Sequence, residues 1–514
     1  MTNTNTLVLA LLLISATAHA AVINAGPTRS YKTPCQAVAA AKAGDTIEVD
    51  PGTYTDDFCL LDKNNLTVKG VGGSRPHMKG TVLIPNKKGI FVVPLNVGPI
   101  TVENIEFSGA KISAADGDNG AGIRMQGSKL TVRNCYFHDN QNGILTGGTA
   151  NAEVLIELSE FAHNGNAGSG QEHNVYVSGD TQSLTFRYNY THHAKSGHTL
   201  KSRAKINYIL FNRIMDEATG FSSYLVDLPQ GGRSYIIGNL IQQGPMAENH
   251  SAIVSYKGEG ATNPELKLYV VNNTMVNDKN TPQTKFIRIH QATEVKVINN
   301  MFIGPGTPVN FPNGSSGTAY TNQNNLTPAA PGLVDQAAYD YHLKPTSPAV
   351  NAGTNPGSGA GYALTPTEQY VHTAQKQPRP QAGVIDVGAY ELGAVPPVDA
   401  GPPADSAPAK DSAPAADSTP STDAAPGSDS APATDGAPAT DSAPATDGAP
   451  GGDHGAPASD GAGKGDAPPA SAGDRHTASI SADDGCRCGV GQTGSGGWPV
   501  LAALLLLLWV RRRR

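Results

Sequence analysis

Residues 197–205 read GHTLKSRAK and set two cations, Lys201 and Arg203, at alternate positions beside His198. A lysine that gives up its proton is a base, an arginine fork grips a carboxylate through two parallel hydrogen bonds, and a histidine passes protons either way. That combination suits an acidic substrate. β-Elimination beside a uronic carboxylate needs a cation to neutralise the carboxylate, a base, and a proton source for the leaving oxygen. Further groups of the same kind stand in neighbouring stretches: Tyr176 in NVYVSGD, Asp227 in SYLVDLPQGG, Arg124 in GIRMQG, and His173 and His193 close by.

Positioning these groups requires a regular scaffold, and the sequence carries one. The phrases ITVENIEF, LTVRNCYF, VLIELSEF, LTFRYNYT, YILFNRIM, YIIGNLIQ, YVVNNTMV and VKVINNMF align on one column holding Ile105, Cys135, Ser159, Asn189, Asn212, Asn239, Asn273 and Asn300. A short phrase recurring at intervals of this kind, rich in β-branched residues, argues a solenoid of strands. An asparagine at one turn of each coil can bond the turn backbone and the asparagine of the next coil, so it can be buried without orphaned polar atoms.

These phrases, with their NN and GN endings, resemble the right-handed parallel β-helix of pectate-lyase-like proteins. The resemblance spans residues 21–395 and implies an all-β solenoid. PCQAVAAAKAGDTIEVDPGTYTDD would supply an N-terminal capping helix and first strand, and YHLKPTSPAVNAGT with GVIDVGAYE a closing segment. Such a fold carries lyases, hydrolases, epimerases and inert adhesins, so it fixes no reaction.

Side chains alternate faces along a strand, so if Leu200 and Ser202 point inward, Lys201 and Arg203 point outward. The same register turns Tyr176 and Arg124 outward, and Asp227 too if Val226 and Leu228 face the core. With coils about 4.8 Å apart, Tyr176, Lys201 and Asp227 would form one outward row. The expected catalytic set is Lys201, Arg203, His198, Tyr176 and Asp227, with His173, His193 and Arg124 as substrate-binding groups. The plainer reading is a set of solvated surface ion pairs. The order KS, NYILFN, GG and IIGN is similar to the alginate lyase and chondroitinase-like β-helix family, which implies Lys201 as the base. That family's assisting arginine on the following coil has no counterpart here, because DLPQGG places Pro229 there; Arg203 would stand in from the same coil.

The rest of the chain sets the context. Its 514 residues carry 44 acidic and 37 basic side chains, net charge −7, and much of the excess aspartate falls in a six-residue Asp/Ala/Pro/Ser repeat over 396–485. With little apolar surface to offset chain entropy, this stretch reads as a disordered tether. The remainder is near neutral, so no nucleic-acid partner is expected. Residues 1–20 read as a secretory signal peptide ending in AHA. Residues 486–514, a cysteine pair followed by a short apolar segment and four arginines, resemble a myxobacterial C-terminal sorting signal and imply a membrane anchor.

Export favours a disulfide between Cys35 and Cys59, whereas Cys135 reads as a small buried hydrophobe. The expectation is therefore an exported, membrane-anchored, monomeric protein of the cell surface that takes a polysaccharide partner. The leading function is a polysaccharide lyase on uronate glycans. The alternatives are a non-catalytic glycan-binding or adhesive β-helix, and a glycoside hydrolase using Asp227 with Glu172 or Glu217. No cofactor is assigned from the sequence. Calcium stays open as a helper of Arg203 through Asp227, and DGDNG at 116–120 reads as a polar turn.

Overall fold

The computed structural model of the protein describes residues 20–166, 171–380 and 383–393, all within one compact unit, Met1–Gly401. Its body is a right-handed parallel β-helix of three sheets. A 12-stranded sheet runs from Val22–Ala25 to Ala319–Gln323; a 10-stranded sheet runs from Cys59–Leu60 to Thr307–Asn310; the other 10-stranded sheet runs from Thr53–Thr55 to Met301–Ile303. These are called the long, second and third sheets. One coil passes through His198–Ser202 in the second sheet, Ile206–Leu210 in the long sheet and Arg213–Met215 in the third, then re-enters the second sheet at Tyr224–Leu228.

Each coil bends sharply between the long and third sheets. The bend takes one left-handed residue, with φ of 53° at Asn134, 58° at Tyr188, 55° at Phe211 and 51° at Asn272. Bulky side chains pay strain in that region, so something must hold them there. The next residue does so. The Asn189 backbone N–H and side-chain Nδ2 both donate to Asn212 Oδ1 (2.9 and 3.1 Å), and Asn212 makes the same pair of bonds to Asn239 Oδ1 (2.9 and 2.9 Å). The ladder continues through Asn273 and Asn300 to Asn325, one rung beyond the sequence expectation. At its start the rung is shorter: the Cys135 N–H donates to Ser159 Oγ, and the Ser159 N–H to Asn189 Oδ1. Inside the tube Phe107, Phe137 and Phe161 stack at 4.8 and 4.9 Å, the spacing of the coils themselves.

Both ends are closed. Helix Pro34–Ala40 covers the N-terminal end, starting on a proline that has no N–H to leave unpaired. Cys35 on this helix is joined to Cys59 by a disulfide, and Cys135 is a free, buried thiol. The C-terminal segment packs Leu333, Tyr341, Tyr370 and Tyr390 against Met215, Leu240, Val276 and Met301 of the third sheet. Arg379 pins it, with its guanidinium buried against Glu391 at 2.9 Å and donating to several backbone carbonyls.

One expectation is corrected. Among the described residues no helix is long and apolar enough to cross a membrane, so a transmembrane helix is not a feature of this structure. The apolar run that suggested it is shorter than the roughly 20 residues a span requires. That run, the tether at 396–485 and nearly all of the leader at 1–20 lie outside the described residues.

Candidate functional site

The second sheet gives the outward row its register. Tyr176 pairs laterally with Lys201, and Lys201 with Asp227. Val175, Val177, Leu200, Ser202, Val226 and Leu228, the residues on either side, are all buried. Alternation therefore turns Tyr176, Lys201 and Asp227 outward, and the condition on Asp227, that Val226 and Leu228 face the core, is met. The row extends through Leu145, Arg124 and Val92 in one direction and Ser255, Arg288 and Asn310 in the other. Tyr176, Lys201 and Asp227 thus form a continuous run bounded by Leu145 and Ser255, with the cations Arg124 and Arg288 one coil further out on either side.

Around Asp227 the charges are tightly arranged. His198 Nε2 lies 3.3 Å and Lys201 Nζ 3.6 Å from Asp227 Oδ2. Burial pushes the Asp227 carboxyl up, but the charges of His198 and Lys201, the His198 hydrogen bond and a bond from Ser255 outweigh it and hold it below the usual carboxylate range. Glu259 comes over the row from the loop after Val254–Tyr256. Both its oxygens engage Arg203, with Nη2 donating to Oε1 at 2.9 Å, and Oε1 also lies 3.4 Å from Lys201 Nζ. The Arg203 guanidinium in turn lies over the Tyr176 ring, 5.9 Å from its centroid. Lys201 and Arg203 side chains are only 13% and 19% exposed while Glu259 is 42% exposed, so the cations line a recess and the acid closes it. The Glu259 end of these pairs is open to solvent, whereas the Lys201–Asp227 end is enclosed.

The histidines form a second repeating device along the edge of the same strands. The His198 backbone N–H donates to His173 Nδ1 at 2.9 Å, and the Tyr224 backbone N–H donates to His198 Nδ1 at 3.3 Å. Their rings follow in sequence: Tyr176 stacks on His173 at 5.5 Å and His173 on His198 at 5.0 Å, and Tyr224 meets His198 at 5.0 Å with the rings tilted. An Nδ1 that accepts a backbone bond leaves the proton of the neutral ring on Nε2. On His198 that proton faces Asp227. His173 is fully buried, and burial first, then the neighbouring charges of His198, Lys201 and Arg203, pushes it well below the ordinary histidine range.

Not every expected residue joins this group. His193 ends the third-sheet strand Tyr190–His192, where a left-handed turn (φ 46°) directs it toward His192, His163 and Glu217. Arg124 lies in the row but is separated from Tyr176 by the intervening Leu145. Glu217 packs with Tyr190 and Arg213 on the third sheet, and Glu172 sits near Asn166 and Ser196, so neither is paired with Asp227 as a hydrolase would need. Asp116 in the DGDNG turn bonds Ser113 and Lys87, and the polar-turn reading describes it. Calcium does not fit Asp227: the ion takes six to eight oxygens, and this single carboxylate already holds a lysine and a histidine. Glu259 is the residue sequence reasoning missed.

A family model described as "Right handed beta helix region" matches residues 60–241, a span that contains Tyr176, Lys201, Arg203 and Asp227. No curated protein matches the chain. Among solved structures, the crystal structure of pectate lyase Pel9A is similar over 72% of this chain and 96% of that one, with 15% identity and a TM-score of 0.47.

Proposed function

We propose that the protein is a carbohydrate-active β-helix protein that binds acidic polysaccharide in the recess of the second sheet and cleaves it by β-elimination beside a uronic carboxylate. The observation that carries this is Glu259. An internal carboxylate held by both oxygens on Arg203 and bridged to Lys201 defines the chemistry that the two cations accept. A uronate entering the recess takes the position of that carboxylate. Arg203 then neutralises the substrate acid, Lys201, released from Glu259 and acting as the neutral amine, takes the proton at the adjacent carbon, and the Tyr176 hydroxyl gives its proton to the leaving oxygen, while His198 keeps its Nε2 proton on Asp227. Asp227 holds Lys201 and His198 in place. No step passes through calcium.

A second reading has its own support. Lys201 lies within 3.6 Å of two carboxylates, a setting that suits a charge partner better than a free amine. On that reading the recess binds an acidic glycan without turnover, as an adhesin would. We also read the chain as exported, with 1–20 as its leader and 486–514 as a sorting signal that keeps it at the cell surface. A panel of uronate and neutral polysaccharides, followed by ultraviolet absorbance, decides between the readings. Elimination leaves an unsaturated uronate that absorbs; hydrolysis and binding do not. Saturable binding of uronate polymers with no absorbance change on any of them would replace the lyase with the adhesin.

A further inference from the structure

The third sheet carries a separate cluster on its outer face, well away from any role assigned above. His77 pairs laterally with Glu106 and Glu106 with Tyr136, while Ser108 pairs with His138. Because Met78, Phe107 and Phe137 point into the core, alternation sends His77, Glu106, Ser108 and His138 outward together. One donor atom from each of His77, Glu106 and His138 lies within 4.8 Å of the other two. The other three-ligand group among the described residues, Cys35, Asp57 and Cys59, is ruled out because its two sulfurs are joined to each other.

We propose that His77, Glu106 and His138 bind a divalent transition-metal cation of the zinc class. Three observations converge. The first is distance: bonds of about 2.0–2.1 Å at a tetrahedral angle place neighbouring donors roughly 3.3 Å apart. His77 Nδ1 is 3.4 Å and His138 Nε2 3.1 Å from Glu106 Oε1. The second is orientation. His138 Nδ1 bonds Asp139 Oδ2 at 2.9 Å, and His77 Nε2 bonds Ser108 Oγ at 2.6 Å, so each ring is held from behind with its other nitrogen turned toward Glu106. A carboxylate behind a histidine ligand is the common arrangement in zinc sites, and Asp139 is itself anchored by Lys195 at 2.6 Å. The third is setting: the His77, Glu106 and His138 side chains are 20%, 27% and 19% exposed, enclosed enough to fix geometry and open enough for the cation to enter. Two nitrogens and one oxygen select a zinc-class ion over calcium, which takes oxygens. Three protein ligands leave the fourth position to water or to an incoming group, and the site ties together three successive coils.

Full-length protein stripped of metal and titrated with Zn2+ by calorimetry should bind one equivalent through this site, with Kd below about 1 µM. Co2+ in its place should give the intense visible bands of a low-coordinate site. His77→Ala and His138→Ala should each raise Kd by about 100-fold or more, and Asp139→Asn, which touches no metal, by about 10–100-fold. Glu106→Gln keeps the side-chain shape and should weaken binding in the same way. Metal-free thermal melts show which of these variants are folded, and those that are decide the question. Lys201→Ala should leave Kd unchanged. Absence of stoichiometric Zn2+ binding, a Kd unmoved in folded His77 and His138 variants, or equal competition by Ca2+ would each overturn the assignment.

Discussion

Two polar columns climb this solenoid in parallel, and they are built on opposite rules. The asparagine ladder repeats one residue from Asn189 to Asn325, points inward, and satisfies itself: each amide accepts from the coil before it and donates to the coil after it. The outward row changes residue at every coil, Leu145, Tyr176, Lys201, Asp227, Ser255. Both obey the same spacing. Repetition of an identical polar side chain serves the fold, because every coil has the same turn to stabilise. Variation along a column marks a place where neighbouring coils do different jobs. The third-sheet run His77, Glu106, Tyr136, Glu160, Tyr190 varies in the same manner.

The largest effect should come from breaking the ladder. Asn239→Ala removes a side chain that donates to Ile209 O at 2.8 Å and to Asn273 Oδ1 at 2.9 Å and accepts from Asn212. Several buried backbone and amide groups are then orphaned at once, at about 1–3 kcal/mol each, so a loss of about 3–5 kcal/mol is expected. Chemical denaturation measures it. A variant within 1 kcal/mol of the parent would show that water or a shifted coil replaces the rung, and the contrast between the columns would lose its basis.

Next comes the row. Lys201→Ala should cut uronate turnover by at least about 100-fold, the usual floor for a lost general base, and cost about 1–2 kcal/mol of stability, less than Asn239→Ala, because His198 still partners the buried Asp227 carboxylate. Arg203→Ala should weaken both binding and rate, because the substrate carboxylate is held in the ground state and the transition state alike. Equal loss of stability in Lys201→Ala and Asn239→Ala would erase the distinction between the columns.

A third test uses a buried acid that belongs to neither column. Asp216 accepts from Ser222 N at 3.3 Å and Gly244 N at 3.1 Å, and so shapes the turn that delivers the strand carrying Asp227. Burial raises its carboxyl to about 6, partly countered by those hydrogen bonds and by Lys279. The unfolded chain releases the same proton near pH 4. Between these values the folded state binds more protons at this group, so its contribution to stability is full below about pH 4 and is lost as pH rises through about 6, a change of about 3 kcal/mol. Asp216→Asn should flatten that part of the profile, seen as the difference between variant and parent in denaturant titrations at pH 4, 5, 6 and 7. Parallel profiles would refute the assignment.

The sequence carried the fold because the same phrase recurs, and each recurrence reports the same turn. It carried the row because strand alternation needs only local neighbours: Val226 and Leu228 are enough to turn Asp227 outward. His193 went astray at a chain reversal, where a single left-handed residue sends the side chain to another sheet. The His77, Glu106 and His138 cluster was unread for a related reason. Its strands are three residues long, too short to display alternation, and the only available signal was position relative to the ladder column, one and three residues beyond Ile105 and Cys135. Glu259 was illegible altogether. It lies in the connection 257–266, which is longer than the matching connections 229–232 and 290–293 of the adjacent coils, and it meets Arg203 across 56 residues.

That loop supplies the last and smallest test. The Glu259 N–H donates to Pro229 O at 2.9 Å, and Asn263 donates to the carbonyls of Arg203 and Ala204 at 3.2 and 3.0 Å, so the backbone of the loop is fixed independently of the Glu259 carboxylate. Glu259→Gln therefore keeps the loop in place and removes only the negative charge that competes with substrate. Arg203 and Lys201 then face an incoming uronate without an internal rival. The affinity for acidic oligosaccharides should rise about 10-fold, equivalent to about 1.4 kcal/mol, with binding of neutral oligosaccharides unmoved. Salt should weaken the variant's binding more than the parent's, because a larger share of its affinity comes from a half-exposed ion pair. Stability should fall by no more than about 1 kcal/mol, since Glu259 is 42% exposed. A weaker uronate affinity in Glu259→Gln would mean that the carboxylate serves the substrate instead of standing in for it, and the row would be recognising something other than an acid.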